Sequence, residues 1–359
     1  MKKSNLAKIL EITSYPPPRS GWGVRVFFVR KYLQEMGHTC QVLNLGPSRK
    51  IKSPEYLDIQ SGMDFVKKVF WHARNGYLIH THLNGDSHKG LVLALIAEFI
   101  AMIWGCGSVL TFHAGPIQLF FPKDRSRLLA PFYALAFSLP RKIICNNQAV
   151  KDNICSYNIP EDKVIPIPAF SVQYLDYVPV ALSEEMEDFI KQHDFVIASY
   201  FFPRPEFYIK SMLEAIKRLT EKLPDMGLIL IGGATRTDAV FKMVSDMGIS
   251  QQTYHAGDLS HDAFMSLLKK SQIYLRTPKK DGVCSSVLES LSLKTPVVAS
   301  ENGSRPPTVI TFETDNANDI FETLLSAAQN YEAVLAQTRP PKVENTVKEE
   351  ADLLVQFSK

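Results

Sequence analysis

The chain has 359 residues, with 40 Lys and Arg against 37 Asp and Glu and a formal net charge of +3. That length exceeds one ordinary hydrophobic core and predicts two domains of about 170 residues each. The near-balanced charge argues against a dedicated nucleic-acid binder. The five scattered cysteines (Cys40, Cys106, Cys145, Cys155, Cys284) lack CxxC spacing and read as reduced thiols of a cytosolic protein, not a disulfide framework or zinc site.

The start, MKKSNLAKILEITSY, opens like a signal n-region, but its apolar run is short and broken by Lys8 and Glu11. Residues 8–13 therefore read as a first strand. The loop SYPPPRSGWG leads to a helix over about 24–36, stopped at Gly37, and to a second strand over 40–45. This is a βαβ unit with an expected right-handed crossover. The loop lacks G-x-G-x-x-G and no acid ends the second strand, so a dinucleotide fingerprint is not supported.

Residues 48–75 are polar, with one helical pattern near 63–73. The strand 77–82, YLIHTH, puts His80 and His82 on one face. A metal reading of that pair needs further His and Asp ligands from the later strands of a barrel, and eight βα units are not visible. Packing or acceptor contact is the better reading. The most apolar run, 91–104, carries Glu98 and falls short of the roughly 20 residues that cross a bilayer, so it predicts a buried helix.

A strand over 108–112 ends in His113-Ala114-Gly115-Pro116. Residues 118–139 mix aromatics with Lys123, Arg125 and Arg127, which fits either an interfacial membrane face or a buried helix after a basic turn. Strands over 142–145 and 164–168 flank a helix over 147–157, and the linker falls near 171–183.

The second half opens with a strand over 195–200, the loop FFPRPEFYIK and a helix over 209–223. A strand over 228–231 ends at Gly232-Gly233. A helix (238–247), a short strand (253–256), a helix (261–269) and a strand (272–275) follow.

Then comes the stretch that carries the chemistry, YLRTPKKDGVCSSVLESLSLKTPVVASENGSRP. A strand enters a polar loop, 276–284, and a helix follows with Val287, Leu288 and Leu291 on one face. A buried strand, 296–299, and the Asn302-Gly303 loop complete it. Such a unit belongs in a parallel sheet, which binds ligands at the carboxyl ends of its strands. Asp281 and Glu289 lie on either side of the helix start. Free amides of Ser286 and Val287 would face a phosphate, with the positive end of the helix dipole behind them, and the two carboxylates would hold hydroxyls. A plainer reading makes Ser286-x-x-Glu289 a capping box and Asp281-Gly282 a turn. A last helix, 345–357, follows Pro340-Pro341 and buries Val347, Ala351, Leu354 and Val355.

The Asp281-to-Glu289 stretch resembles the acid-x7-acid signature of retaining, nucleotide-sugar-dependent glycosyltransferases of family 4, with Asp281 where the first acid is usually Glu. The letters DG, S-V-x-E-S-L, T-P-V-V-A-S and the later R-P resemble a branch with Asp-Gly in place of the usual acid-Gly pair. The resemblance implies the GT-B fold: α/β, two Rossmann-like parallel-sheet domains facing across a cleft. Residues 1–175 would form the acceptor-side domain and 176–340 the nucleotide-sugar-binding domain, with 341–359 crossing back to the first.

It also implies a reaction and its residues. A sugar would pass from a nucleotide diphosphate sugar, of the UDP or GDP type, to a saccharide or lipid-linked acceptor with retention, in cell-surface polysaccharide synthesis. Asp281 would hold sugar hydroxyls and Glu289 ribose hydroxyls. Ser285, Ser286 and Val287, with Arg204 or Lys210, would meet the diphosphate. His113, in its T-x-H-x-G setting, would line the sugar pocket, and Gly21 and Gly23 would lie against donor phosphate and acceptor. Gly232 and Gly233 belong to the donor side, and 254–258 to the base contact. The family's usual Arg and Lys fall on Phe202 and Phe207 here, leaving Arg276 and Arg305 as further cations. Nothing resembles a metal-holding Asp-x-Asp, so neither a metal nor a cofactor besides the donor is expected, and nucleic acid is no partner. The protein would be cytoplasmic, at the inner face of the membrane if it makes peripheral contact. Two other classes compete: a nucleotide-sugar epimerase of similar fold, and a non-catalytic sugar-nucleotide-binding subunit.

Overall fold

The computed structural model describes residues 6–16, 21–115, 117–233, 238–279 and 284–358. In chain order the first elements are β1 (Lys8–Thr13), α1 (Gly21–Glu35), β2 (Thr39–Asn44), α2 (Gly62–Arg74), β3 (Leu78–Leu83), α3 (His88–Trp104), β4 (Ser108–Phe112), α4 (Ala130–Ser138), β5 (Lys142–Cys145), α5 (Gln148–Cys155) and β6 (Val164–Pro166). Next come α6 (Glu184–Lys191), β7 (Phe195–Tyr200), α7 (Ile209–Lys222), β8 (Met226–Ile231), α8 (Asp238–Asp246), β9 (Thr253–Gly257), α9 (His261–Lys270), β10 (Ile273–Arg276) and α10 (Ser285–Ser292). The chain ends with β11 (Val297–Ser300), β12 (Ile310–Phe312), α11 (Ala317–Gln329), α12 (Tyr331–Gln337) and α13 (Thr346–Phe357).

The chain divides into two compact units, one of residues 1–173 with 344–359 and one of residues 174–343. The first holds a parallel sheet in the order β2-β1-β3-β4-β5-β6. Its strands are buried on both faces, as helices on each side of a parallel sheet require. Leu10, Ile12 and Ile79 pack with Phe65 and Val69 of α2 and Ala97 of α3. On the opposite face Ile9, Leu78 and Val109 pack with Val29 and Leu33 of α1 and with Val347, Ala351 and Leu354 of α13. The C-terminal helix thus belongs to the first unit's core. Gly107 lets it approach closely, since a Cβ there would lie 2.3 Å from the Phe357 carbonyl oxygen.

The second unit holds a parallel sheet in the order β12-β11-β10-β7-β8-β9. Met212, Leu213, Ile216 and Leu219 of α7 and Ile320 and Leu324 of α11 cover one face. Met265 and Leu268 of α9 and Val287 and Leu291 of α10 cover the other.

Local chemistry sets the helix starts. Ser61, Ser87, Asn147, Ser183, Ser260, Asn316 and Asn345 each accept an amide of the first turn of α2, α3, α5, α6, α9, α11 and α13, respectively. Three expectations shift. The first helix begins at Gly21, not near residue 24, so Gly21 and Gly23 sit in its first turn and not in the preceding loop. The apolar helix begins at His88 because Ser87 caps it, ahead of the apolar run itself. The stretch between the expected linker and β7, for which no element was expected, forms α6, whose first turn holds three glutamates at the favourable end of its dipole.

Candidate functional site

In each sheet the strand order reverses once, and ligands of open α/β sheets bind at the carboxyl edge beside that reversal. In the first unit the reversal lies between β1 and β3, in the second between β7 and β10.

In the first unit, one sheet face turns from apolar to polar toward that edge. Glu11 of β1 pairs in register with His80 of β3, and His82 and Thr111 are paired across β3 and β4. All four are buried. A carboxylate in the centre of a buried strand needs compensation, and it is supplied on both sides. Glu11 Oε2 lies 2.7 Å from His82 Nε2 and 2.7 Å from His80 Nδ1, the second an ion-pair contact poorly aligned for a linear hydrogen bond. His80 Nε2 meets Thr111 Oγ1 at 2.7 Å.

His82 Nδ1 lies 2.7 Å from Nε2 of His113, just past the end of β4, with the two rings 9° from coplanar. Trp22 of α1 stacks on the outer face of His113, centroids 5.1 Å apart. The His113 amide donates to the Leu83 carbonyl, which fixes the histidine at the tip of β3 and β4.

Charges follow the contacts. Burial pushes the Glu11 carboxyl up, but the His80 charge and the contacts with His80 and His82 outweigh it and hold it at about 2. Burial lowers His80, while the Glu11 charge more than restores it, so His80 titrates above its ordinary range. His82 is lowered by burial and by the His80 charge. His113 is lowered well below its ordinary range by burial and by the nearby His82, His80 and Arg25.

In the second unit, Arg276 ends β10. It is nearly buried, with its guanidinium 5.1 Å from the Phe207 ring centroid and 5.9 Å from that of Tyr200, and Nη1 donates to the Tyr200 carbonyl. Arg305 braces the loop that follows, donating to the carbonyls of Ser300 and Pro278. Both aromatic partners of Arg276 belong to the segment where the expected phosphate cations are replaced. Phe202 and Phe207 lie there, 6.5 Å apart. Arg204 is 62% exposed with Glu206 at 3.8 Å, and Lys210 is 77% exposed with Glu214 at 3.7 Å. Tyr208 between them takes a left-handed conformation (φ 48°).

The helix α10 begins at Ser285, and its cap residue Cys284 makes no side-chain cap bond. The capping-box register, which needs Ser286 as the cap, is not formed. Glu289 is buried, with Oε1 3.2 Å from His261 Nε2. The Ser286 hydroxyl accepts from buried Tyr274. One expectation is corrected: the Val287 amide is not free but donates to the Cys284 carbonyl at 3.1 Å, because the first turn closes tightly on that oxygen. The amides without an acceptor among the described residues are those of Ser285 and Ser286. Asp281 lies outside the described residues. Gly232 and Gly233 end β8 with φ 95° and 72°. A Cβ on Gly232 would stand 2.7 Å from the Phe201 carbonyl, so only glycine fits.

Sequence reasoning missed Glu11, Trp22 and Arg25. The signal for Glu11 was a lone acid inside the strand KILEIT, with the His80-x-His82 pair elsewhere to meet it.

The family model for Glycosyltransferase Family 4 matches residues 19–170, and that for Glycosyl transferases group 1 matches residues 187–329. Ninety-nine residues align at 24% identity with an uncharacterized glycosyltransferase of Methanocaldococcus jannaschii, 28% of this chain, which spans only 24% of that curated relative. The fold is shared with a glycosyltransferase from Rickettsia africae ESF-5 (17% identity, 99% of each chain, TM-score 0.71). It is also shared with Anabaena HepE in complex with UDP and glucose (14% identity, 98% of this chain and 97% of that one, TM-score 0.68). A putative UDP-N-acetylglucosamine 2-epimerase from Listeria monocytogenes is similar too (14% identity, 98% and 96%, TM-score 0.66). Each unit thus carries one glycosyltransferase family match, and the two parallel six-stranded sheets of this order are the GT-B fold of the glycosyltransferase structures.

Proposed function

We propose that the protein moves a sugar from a nucleotide diphosphate sugar to a saccharide or lipid-linked acceptor with retention of configuration. The observation that carries this reading is the start of α10: two amides without acceptors among the described residues, at the carboxyl edge of β10, with a buried carboxylate, Glu289, one turn on. A helix start with open donors suits a diphosphate. Glu289 then takes the ribose hydroxyls and Asp281 the sugar hydroxyls. The family matches support glycosyl transfer, and the UDP in the HepE structure supports a UDP-type donor.

In the reaction the anomeric C–O bond to the diphosphate breaks, and the nucleotide diphosphate leaves with the electron pair. The acceptor hydroxyl oxygen bonds to the same face of the anomeric carbon, and its proton passes to the departing phosphate oxygen. Donors that meet the developing charge lower the barrier. Besides the Ser285 and Ser286 amides, Arg276 is the candidate best held by its surroundings, while Arg204 and Lys210 reach the ligand only by leaving their carboxylate neighbours. His113 takes a sugar hydroxyl. No metal is needed for this step.

The readings differ in one assay set. Melting temperature is measured against UDP-, GDP- and ADP-sugars, since a ligand of the native state raises it. Transfer of labelled sugar to lipid-linked saccharide follows, with the product anomer read by NMR. Product without acceptor identifies an epimerase. Binding without turnover for any donor, in the parent and in the Arg204→Ala/Lys210→Ala variant alike, identifies a binding subunit, the reading that the exposed Arg204 and Lys210 favour. No melting shift with any nucleotide sugar sinks all three.

A place in surface polysaccharide synthesis at the inner membrane face belongs to the same proposal. No helix among the described residues is long and apolar enough to cross a membrane. The exposed Ile117, Leu119, Leu128 and Phe132 beside exposed Lys123, Arg125 and Arg127 suit peripheral contact. Failure to sediment with anionic vesicles at low salt would remove this part.

A further inference from the structure

We propose that Glu11 and His82 are positioning residues: a buried hydrogen-bond chain that fixes the tautomer of His113, so that its Nδ1 is a bare acceptor for a saccharide hydroxyl. The saccharide part rests on the function proposed above. The tautomer follows from the contacts alone.

An ionised carboxylate only accepts, and a neutral imidazole has one donor and one acceptor nitrogen. Glu11 Oε2 faces His82 Nε2 at 2.7 Å, so His82 Nε2 carries the hydrogen. Its Nδ1 is then an acceptor and receives the hydrogen of His113 Nε2 across 2.7 Å. The proton of neutral His113 is thereby spent inward, and Nδ1 keeps its lone pair. That nitrogen has no partner among the described residues, while the ring is stacked on Trp22 and held by the Leu83 carbonyl through its backbone.

The chain has one direction because the charge of Glu11 is already met. His80, from the same strand face, stands 2.7 Å from the same oxygen. A second cation on His82 is disfavoured by burial and by the His80 charge, and Arg25 of α1 adds to the unfavourable field at His113. Glu98 of α3 acts on His80, and Glu350 of α13 acts on both His80 and His82 without offsetting the burial and the His80 charge that lower His82. The cluster Glu11, His80 and His82 also has the residue types of a metal site. Its 2.7 Å spacings are those of hydrogen bonds, however, since two ligands of a tetrahedral zinc at ordinary bond lengths lie about 3.3 Å apart.

The test uses the full-length protein labelled with 15N in its histidine rings. In the parent, the His113 proton should sit on Nε2 from pH 6 to 9, with the Nδ1 shift moving in the hydrogen-bonded direction when a UDP-sugar is added. His82→Leu should mix the tautomers and lower kcat/KM at least tenfold. His82→Gln, whose amide again offers a donor and an acceptor, should restore most of it. A His113 proton on Nδ1, a doubly protonated ring, or one bound zinc per chain overturns the proposal, and the parent spectrum decides this even if a variant fails to fold. The Nε2 tautomer with no response to any nucleotide sugar upholds the chain and counts against the proposed function.

Discussion

Arg25 of α1 and Glu350 of α13, 325 positions apart, form a buried ion pair with Nε 2.7 Å from Oε2. The guanidinium also donates to the Thr346 hydroxyl and carbonyl, at 2.8 and 2.7 Å, and to the Ala169 carbonyl. One side chain thus ties the first helix to the last. Removing one partner leaves a buried charge without its mate, which costs about 3–5 kcal/mol. Arg25→Met should lower the unfolding free energy of the first unit by that order in urea. Arg25→Met with Glu350→Leu should be less harmful than Arg25→Met alone. Strict additivity of the two substitutions would show that the pair is not coupled.

Glu98 lies inside α3, accepting from the Thr81 hydroxyl at 2.7 Å. Burial raises its carboxyl from 4.5 to about 7, against the pull of the Ser108 and Thr81 hydroxyls. A raised folded value means stability is full below pH 4.5 and falls as pH rises through about 7. Glu98→Gln removes that loss. Its unfolding free energy should match the parent near pH 4.5 and exceed it at pH 8 by about 3 kcal/mol, read from urea melts at the two pH values. Equal pH profiles for the two proteins would refute the buried, titrating Glu98.

Gly232 and Gly248 share positive φ, 95° and 72°, but differ in surroundings. A Cβ on Gly232 meets the Phe201 carbonyl at 2.7 Å, while one on Gly248 meets nothing within 4 Å. Gly248→Ala should cost only the left-handed penalty, about 1–2 kcal/mol. Gly232→Ala adds a clash at the carboxyl edge of β8, for roughly 2–4 kcal/mol in all. Denaturant midpoints of the two variants check the order.

Glu289→Gln keeps the shape of the α10 site and removes the charge beside His261. If Glu289 holds ribose hydroxyls, hydrogen bonds to a charged group worth about 1.5–3 kcal/mol weaken. The donor KM should then rise about tenfold or more, with little change in melting temperature without ligand. An unchanged donor KM would confine Glu289 to the His261 contact.

Most of the fold was legible because its signals are local. Alternating and apolar runs marked β1, β3, β4, β7, β8 and β10, and Gly37 marked the end of the first helix. Near-continuous apolar strands separated by helical patterns imply parallel sheets. The site was legible less evenly. The His113 position could be read from the strand that runs into it, and the α10 start from its serines and acids. That the open amides belong to Ser285 and Ser286, and not to Val287, depends on how the first turn closes over Cys284, which the letters do not specify.

The amino-acid order by itself determined every described strand but β12, their parallel sense and the helix start at Ser285, because burial periodicity acts over a few residues. Only the tertiary structure decided which distant polar groups meet. Glu11 and His82 are 71 positions apart, and Arg25 and Glu350 are 325. Their pairing is set by strand register and by the packing of α13 on the first sheet, and a buried charge has no local pattern that names its partner.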